Sequence, residues 1–386
     1  MGRPLRYLIV VLLVAALGAA LVFALHRDEG QVTAQLVASA DGESAGFAQV
    51  EGPRPFAFPI DYGPHPAYQS EWWYYTGNLT TSAGRRFGYQ LTFFRRALIP
   101  PSAQADRPSD WATDQVYLAH FTLSDVGGGG FQAHERFSRG AAGLAGAQAA
   151  PFQVWLEDWS VEETEVGSYH LSAQEGDVSI DLTLVDRKGP VLQGDRGYSR
   201  KGPEPGDASY YYSLTRLAST GTVRVGESEY AVQGLSWMDH EFSTSALAPG
   251  QVGWDWFSIQ LDDGSELMLY ELRRDDGTVD PYSSGTFVAP DGTTTPLAQS
   301  DFTLTVERTW RSPHSGATYP AGWVVDVPSL GLSLTVEPYL ADQELNVSFT
   351  YWEGAVGVAG QRDGQPVAGS GYVELTGYAG SMQGQF

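Results

Sequence analysis

One short stretch carries most of the chemistry in this sequence: Trp237-Met238-Asp239-His240-Glu241-Phe242. On a β-strand side chains alternate, so Trp237, Asp239 and Glu241 share one face while Met238, His240 and Phe242 share the other. An acid beside tryptophans in a dry barrel has its pKa raised and stays protonated near neutrality. Such a carboxyl can donate a proton to an electron-rich alkene, and nearby indole faces steady the tertiary cation that results. His240 or a second carboxylate, with Glu241 at hand, can then deprotonate an incoming water. Asp239, His240 and Glu241 are therefore the candidate catalytic groups. Two other uses of the same residues stay open. Asp239 can pair with Arg95, Arg96 or Arg273 as a buried ionic strut. Asp239 and Glu241 at i, i+2 beside tryptophan platforms also suit a secreted glycosidase.

Candidate ligand contacts are Trp72, Trp73, Tyr74, His120, Trp237, Trp254 and Trp256. Tryptophan closing a barrel floor is an ordinary packing solution, so at least one of Trp72/Trp73 and one of Trp254/Trp256 is expected to point inward. A lone histidine such as His120 or His65 is more often a hydrogen-bonded structural residue than a ligand. No His-x-His or His-Glu-x-x-His spacing occurs, and alternation turns His240 away from both flanking acids, so no metal is expected. The proposed chemistry also calls for no organic cofactor.

Composition narrows the field further. The 386 residues include 23 Lys+Arg against 46 Asp+Glu, a net charge of −23, which opposes nucleic acid and anionic lipid as partners. The absence of cysteine removes disulfides, thiolate nucleophiles and thiolate metal sites together. Lys188 and Lys201 are the only lysines, which leaves Schiff-base chemistry almost without candidates. No Gly-x-Ser-x-Gly elbow and no phosphate-cradling loop are found.

The elements that must position these residues are strands. Arg86–Leu98, Gln115–Leu123, Gly221–Leu235, Phe257–Leu272 and Leu345–Trp352 alternate or run aromatic and β-branched. Turns such as Asp262-Asp263-Gly264 and Arg362-Asp363-Gly364 punctuate the chain at hairpin spacing. A weak internal repeat sets the organisation. Trp72-Trp73-Tyr74-Tyr75, leading to Phe94-Arg95-Arg96, is echoed by Trp254-Asp255-Trp256-Phe257, leading to Leu272-Arg273-Arg274. Likewise Val232-x-Gly234-x-x-Trp237-x-Asp239 is echoed by Val367-x-Gly369-x-x-Tyr372-x-Glu374. Two tandem copies of one β module explain both echoes. The expected fold is all-β: a first barrel over 56–245 and a second over 246–386. The ligand is expected in the first barrel, near its junction with the second.

Ahead of the body, Arg3 and Arg6 precede an apolar run from Tyr7 to Leu25 that is nearly long enough to span a bilayer. Residues 1–27 are expected to act as a signal or membrane anchor and 28–55 as a polar tether. The body then sits on the periplasmic or extracellular face, touching the membrane only through the N-terminal segment.

Five strings carry a family resemblance. They are His65-Pro66 … Glu71-Trp72-Trp73-Tyr74-Tyr75-Thr76-Gly77-Asn78-Leu79, the run Gly88 to Arg96, Ala119-His120-Phe121-Thr122, Ala208 to Ser213, and Trp237 to Phe242. Over roughly 55–380 the chain resembles the AttH / carotenoid 1,2-hydratase family. The resemblance implies two tandem lipocalin-like β-barrels after an N-terminal hydrophobic helix. It also implies hydration of a terminal isoprenoid double bond, export, and an ABC-type transporter permease as partner. In the hydratases an Asp-His-Asn-Trp stretch carries a residue implicated in catalysis; here His240 carries over, while Glu241 and Phe242 replace Asn and Trp. The functions in play are thus a cofactor-free hydro-lyase acting on an isoprenoid, a non-catalytic carrier of a lipophilic molecule, and a secreted hydrolase.

Overall fold

The computed structural model describes residues 45–104, 109–245 and 247–383. The expected signal or anchor, and the tether up to residue 44, lie outside the described residues. Within them the chain is all-β, with short 3-10 turns and no α-helix. Its strands form two large antiparallel sheets of 13 and 10 strands and one small hairpin.

Both large sheets are wound in the same way. In the first, the opening strand Ser70–Thr80 pairs on one side with Arg86–Ala97 and on the other with the closing strand Ser228–Ser243. In the second, Gln251–Leu261 pairs with Glu266–Arg274 and with the closing strand Gln365–Leu375. In each sheet the two edge strands are consecutive in sequence, so each curls into a nearly closed barrel. Some expected strands are finer than the hydrophobic runs suggested. Gly221–Leu235 spans a hairpin, because Gly226 takes a left-handed turn (φ 62°) between Ala208–Val225 and Ser228–Ser243. Leu345–Trp352 is likewise divided between Glu344–Asn346 and Thr350–Arg362.

Alternation decides what each barrel buries. In the first, Trp73, Tyr75, Leu91, Phe93 and Met238 fill the interior. Phe56, Phe58 and Tyr62 pack against that core from the segment preceding the first strand, and Trp73 Nε1 donates to the Tyr62 carbonyl at 3.0 Å. The polar-tether expectation therefore does not extend past residue 46: Phe47 and Val50 are buried, and Arg54 pairs with Asp61. Burying those apolar side chains outweighs leaving the segment solvated.

The outward faces of the two barrels meet over a third apolar cluster that includes Tyr74, Tyr211, Trp237, Trp256, Tyr270, Ala355 and Tyr372. A bulge between Leu214 and Leu217 interrupts the pairing of the last two strands of the first sheet. From it, the Thr215 carbonyl accepts a hydrogen bond from Gln260 Nε2 at 2.7 Å, and Arg216 pairs with Glu266. Lys188 Nζ reaches the same Glu266 carboxylate at 2.7 Å. A close apolar approach occurs at Gly88, where a Cβ would lie 2.4 Å from the Ala355 Cβ. Gly88→Leu should wedge the barrels apart and cost about 1–3 kcal/mol, the usual scale for overpacking. Thermal melting would read this, and Ala355→Gly should recover part of the loss.

Candidate active site

A cavity opens at this junction, partly continuous with solvent. The first barrel contributes Trp72, Tyr74, Phe94, Tyr211, Asp239 and Glu241, and the second contributes Trp254, Trp256, Tyr270, Leu272 and Glu374. Lys201 supplies the single amine of the lining. The expected location is thus corrected: the cavity lies between the barrels, because the interior of the first is already packed.

Strand register explains how the residues converge. Tyr74 stands opposite Asp239, and Trp72 opposite Glu241, so all four share the outward face. The neighbouring strand sets Ser213 beside Asp239 and Tyr211 beside Glu241. In the second barrel, Trp256 stands opposite Glu374. Trp254 and Trp256, two residues apart, both face the junction, so the expectation that one of them points inward is not met; Phe257 takes the inward position.

Asp239 is buried and, among the described residues, hydrogen-bonded by neutral donors. Its Oδ2 accepts from the Tyr211 hydroxyl at 2.6 Å, and its Oδ1 from the Ser213 hydroxyl at 2.5 Å and from Trp237 Nε1 at 2.7 Å. Burial pushes its carboxyl up to about 7 against those three hydrogen bonds. The ionic-strut alternative is overturned, since Arg95 binds Glu71, Arg273 binds Asp255, and Arg96 donates to the Ser70 hydroxyl at 3.0 Å. Glu241 is ion-paired with Lys201. Burial also pushes Glu374 to about 7; Trp254 Nε1, donating at 2.7 Å, opposes the shift, while the charges of Asp239 and Glu241 add to it.

The other candidates lie elsewhere. Trp237 stands behind the cavity as a donor to Asp239. Trp73 and His240 point into the first barrel, where their rings stack 4.7 Å apart. His240 Nε2 lies 2.8 Å from Glu71 Oε1 and Nδ1 lies 2.8 Å from the Tyr212 hydroxyl. Burial lowers His240 to about 4, so the ring is neutral and, facing away, cannot serve the cavity as a base. His120 is buried between the sheets, with Nδ1 2.6 Å from the Tyr351 hydroxyl and Nε2 3.1 Å from Glu135. The nitrogens of His65 and His240 and a carboxylate oxygen of Glu71 lie within 4.8 Å of one another, close enough for a metal ion. Arg95 donates to that same carboxylate at 2.8 Å, however, and its charge makes the cluster a hydrogen-bonded ionic network rather than a cation site.

Sequence reasoning did not nominate Tyr211, Lys201, Tyr270 or Glu374. For Glu374 a signal existed, because the repeat aligns Tyr372-x-Glu374 with Trp237-x-Asp239.

These groups fix a pH dependence. Between about pH 4 and 7 the folded chain keeps protons on Asp239 and Glu374 that the unfolded chain has released, so stability should fall as pH rises through that window. Asp61 and Glu71 act with the opposite sign. Against burial, His65 and Arg54 hold Asp61 low, and Arg95 with both histidines holds Glu71 low, so their stabilisation is lost on acidification below about pH 4. Thermal melts across pH 3–8 should therefore peak on the acid side of neutrality. The combined Asp239→Asn, Glu374→Gln variant should flatten the neutral side of that curve.

The family model described as AttH-like matches residues 49–378. The chain belongs to the AttH-like family. A solved structure from Nitrosomonas europaea described as AttH is 36% identical, with a TM-score of 0.76 over 86% of this chain and 100% of that one. Kievitone hydratase from Nectria haematococca shares the fold at 17% identity and a TM-score of 0.64, covering 87% of this chain and 97% of that one. In sequence, kievitone hydratase from Fusarium solani subsp. phaseoli is 22% identical over 223 residues, 56% of this chain and 62% of that protein. The chain thus spans about three-fifths of the length of that curated relative. The resemblance drawn from the aromatic strings is borne out, as is the all-β fold built on two large barrel-like sheets.

Proposed function

We propose that this AttH-like protein is a hydro-lyase that adds water to, or removes it from, a carbon–carbon double bond of a hydrophobic substrate held between the barrels. The observation carrying this reading is Asp239: a buried carboxyl facing an aromatic cavity, bonded among the described residues by neutral donors and raised to about 7. Half-protonated at neutral pH, it can donate to an alkene carbon as a general acid. The developing cation then lies among Trp72, Trp254 and Trp256, a residue type whose π-face attracts positive charge. In the reverse direction the same groups remove a hydroxyl as water. The names of the hydratase relatives support this reaction class. An isoprenoid suits the aromatic walls, and export through residues 1–27 would place the reaction outside the cytoplasmic membrane, beside a transporter permease that supplies or accepts the substrate.

Two measurements test this. An alkyltrimethylammonium, which mimics the cation, should quench tryptophan fluorescence and protect the cavity thermally, and Trp256→Ala should weaken its binding. In water labelled with oxygen-18, an acyclic polyene with a terminal trisubstituted double bond should yield an alcohol carrying the label. Polyene uptake with no labelled product would leave a carrier and end the hydro-lyase reading.

A further inference from the structure

We propose that Glu374 is the second catalytic group of this cavity, the base that takes a proton from the attacking water while Asp239 protonates the alkene. This assignment rests on the hydro-lyase reading.

The internal repeat places the two carboxyls as counterparts. Tyr74 stands opposite Asp239 in the first barrel, and Trp256 stands opposite Glu374 in the second. The next-strand counterparts Phe94 and Leu272 line the same cavity. Each carboxyl also accepts an indole N–H, from Trp237 and from Trp254. The junction therefore brings together, in one cavity, two copies of the same acid position separated by 135 residues of chain. The remaining charge does not neutralise both. Lys201 is bonded to Glu241, and Glu353, opposite Glu374 on the adjoining strand, is itself a buried carboxyl bonded by the Tyr74 hydroxyl at 2.8 Å. The phenols facing the pair, Tyr74, Tyr211 and Tyr372, are all raised well above their ordinary range by burial and stay neutral. Two acids that repel one another across a low-dielectric space titrate as a pair, one holding the proton that the other lacks.

That sharing divides the work. The alkene π pair takes the Asp239 proton to form the new C–H bond, leaving a cation at the neighbouring carbon. A water oxygen pair closes the C–O bond, and the proton released from that water goes to the Glu374 carboxylate. The products are the alcohol, ionised Asp239 and protonated Glu374. No electrons are gained or lost, and proton exchange with water restores the starting distribution.

Infrared pH titration of the full chain, following the protonated carboxyl stretch, tests the pairing. Wild type should show, among the bands of buried carboxyls such as Glu271 and Glu353, one from Asp239 and one from Glu374 that leave in separate steps around neutrality, each assigned by its loss in Asp239→Asn or Glu374→Gln. Glu374→Gln should remove one band and shift the other, from Asp239, to lower pH, while Glu374→Asp should keep both. An Asp239 step that does not move in Glu374→Gln overturns the pairing. The labelled-water assay on the same polyene tests the role. Glu374→Gln should lose about 10²–10⁴-fold in turnover, the scale for one acid–base group. It should still bind the alkyltrimethylammonium probe, and Glu374→Asp should recover part of the rate. Full activity in Glu374→Gln with loss in Asp239→Asn would overturn this inference and leave the hydro-lyase standing. No turnover in wild type would overturn both.

Discussion

Asp239→Asn should lower turnover by about 10²–10⁴-fold while leaving the melting temperature at pH 7 unchanged or slightly higher. The amide keeps the shape of the carboxyl and can still bond Tyr211, Ser213 and Trp237, but it has no transferable proton. Ordinarily, removing one member of a buried ion pair costs about 3–5 kcal/mol. No arginine or lysine is bonded to Asp239 among the described residues, so there is no orphaned charge to leave behind. Replacing a carboxyl raised by burial instead removes a group that destabilises the fold once ionised. Oxygen-18 incorporation and a thermal melt, run on one preparation, read both halves of the expectation. A variant with normal turnover would remove Asp239 from the chemistry, and a variant that melts early would restore a structural role.

Arg95→Met should have the opposite signature, a loss of about 3–5 kcal/mol in stability. Arg95 is fully buried at the end of the first barrel. It donates to Glu71 Oε2 at 2.8 Å and to the carbonyls of His65 and Tyr68 at 3.0 and 2.9 Å. Glu71 in turn is within 2.8 Å of His65 and His240. Without the guanidinium, a buried carboxylate is left with a neutral imidazole on one side and a half-buried histidine on the other. The segment that closes the barrel mouth then loses its anchor. Denaturant or thermal unfolding measures the loss, and adding Glu71→Gln should return part of it by removing the stranded charge. A loss below about 1 kcal/mol would place this network among ordinary surface pairs.

How far the sequence foretold this molecule depended on the range over which its information acts. Alternation along one strand was enough to separate Trp237, Asp239 and Glu241 from Met238, His240 and Phe242, and the structure keeps that division. The repeated aromatic hairpins and aromatic-x-acid strands were legible because local spacing survives in the sequence; they reappear as the opening and closing strands of each sheet. The location of the cavity was not legible. It depends on outward faces meeting across the junction, and no local pattern says whether an outward face meets water or another barrel. The same gap hid Tyr211 and Lys201, whose partners lie 28 and 40 residues away. The hairpin near Val347 was missed because Val347 carries the apolar pattern through the turn, and the one at Gly226 because the polar turn Gly226-Glu227-Ser228-Glu229 was absorbed into the strand reading around it.

The charge in the junction cavity also determines what it turns away. Three carboxyl groups and one already engaged amine line a space walled by aromatic rings, and the chain around it carries −23. A fatty acid, a sulfate ester or a diphosphate-activated prenyl chain would have to shed its hydration beside like charge, with no free cation among the described residues of the lining to meet it. If the cavity serves the proposed hydro-lyase, selectivity comes through repulsion: the substrate must enter uncharged or positive, so an activated anionic precursor would have to lose its phosphate groups first.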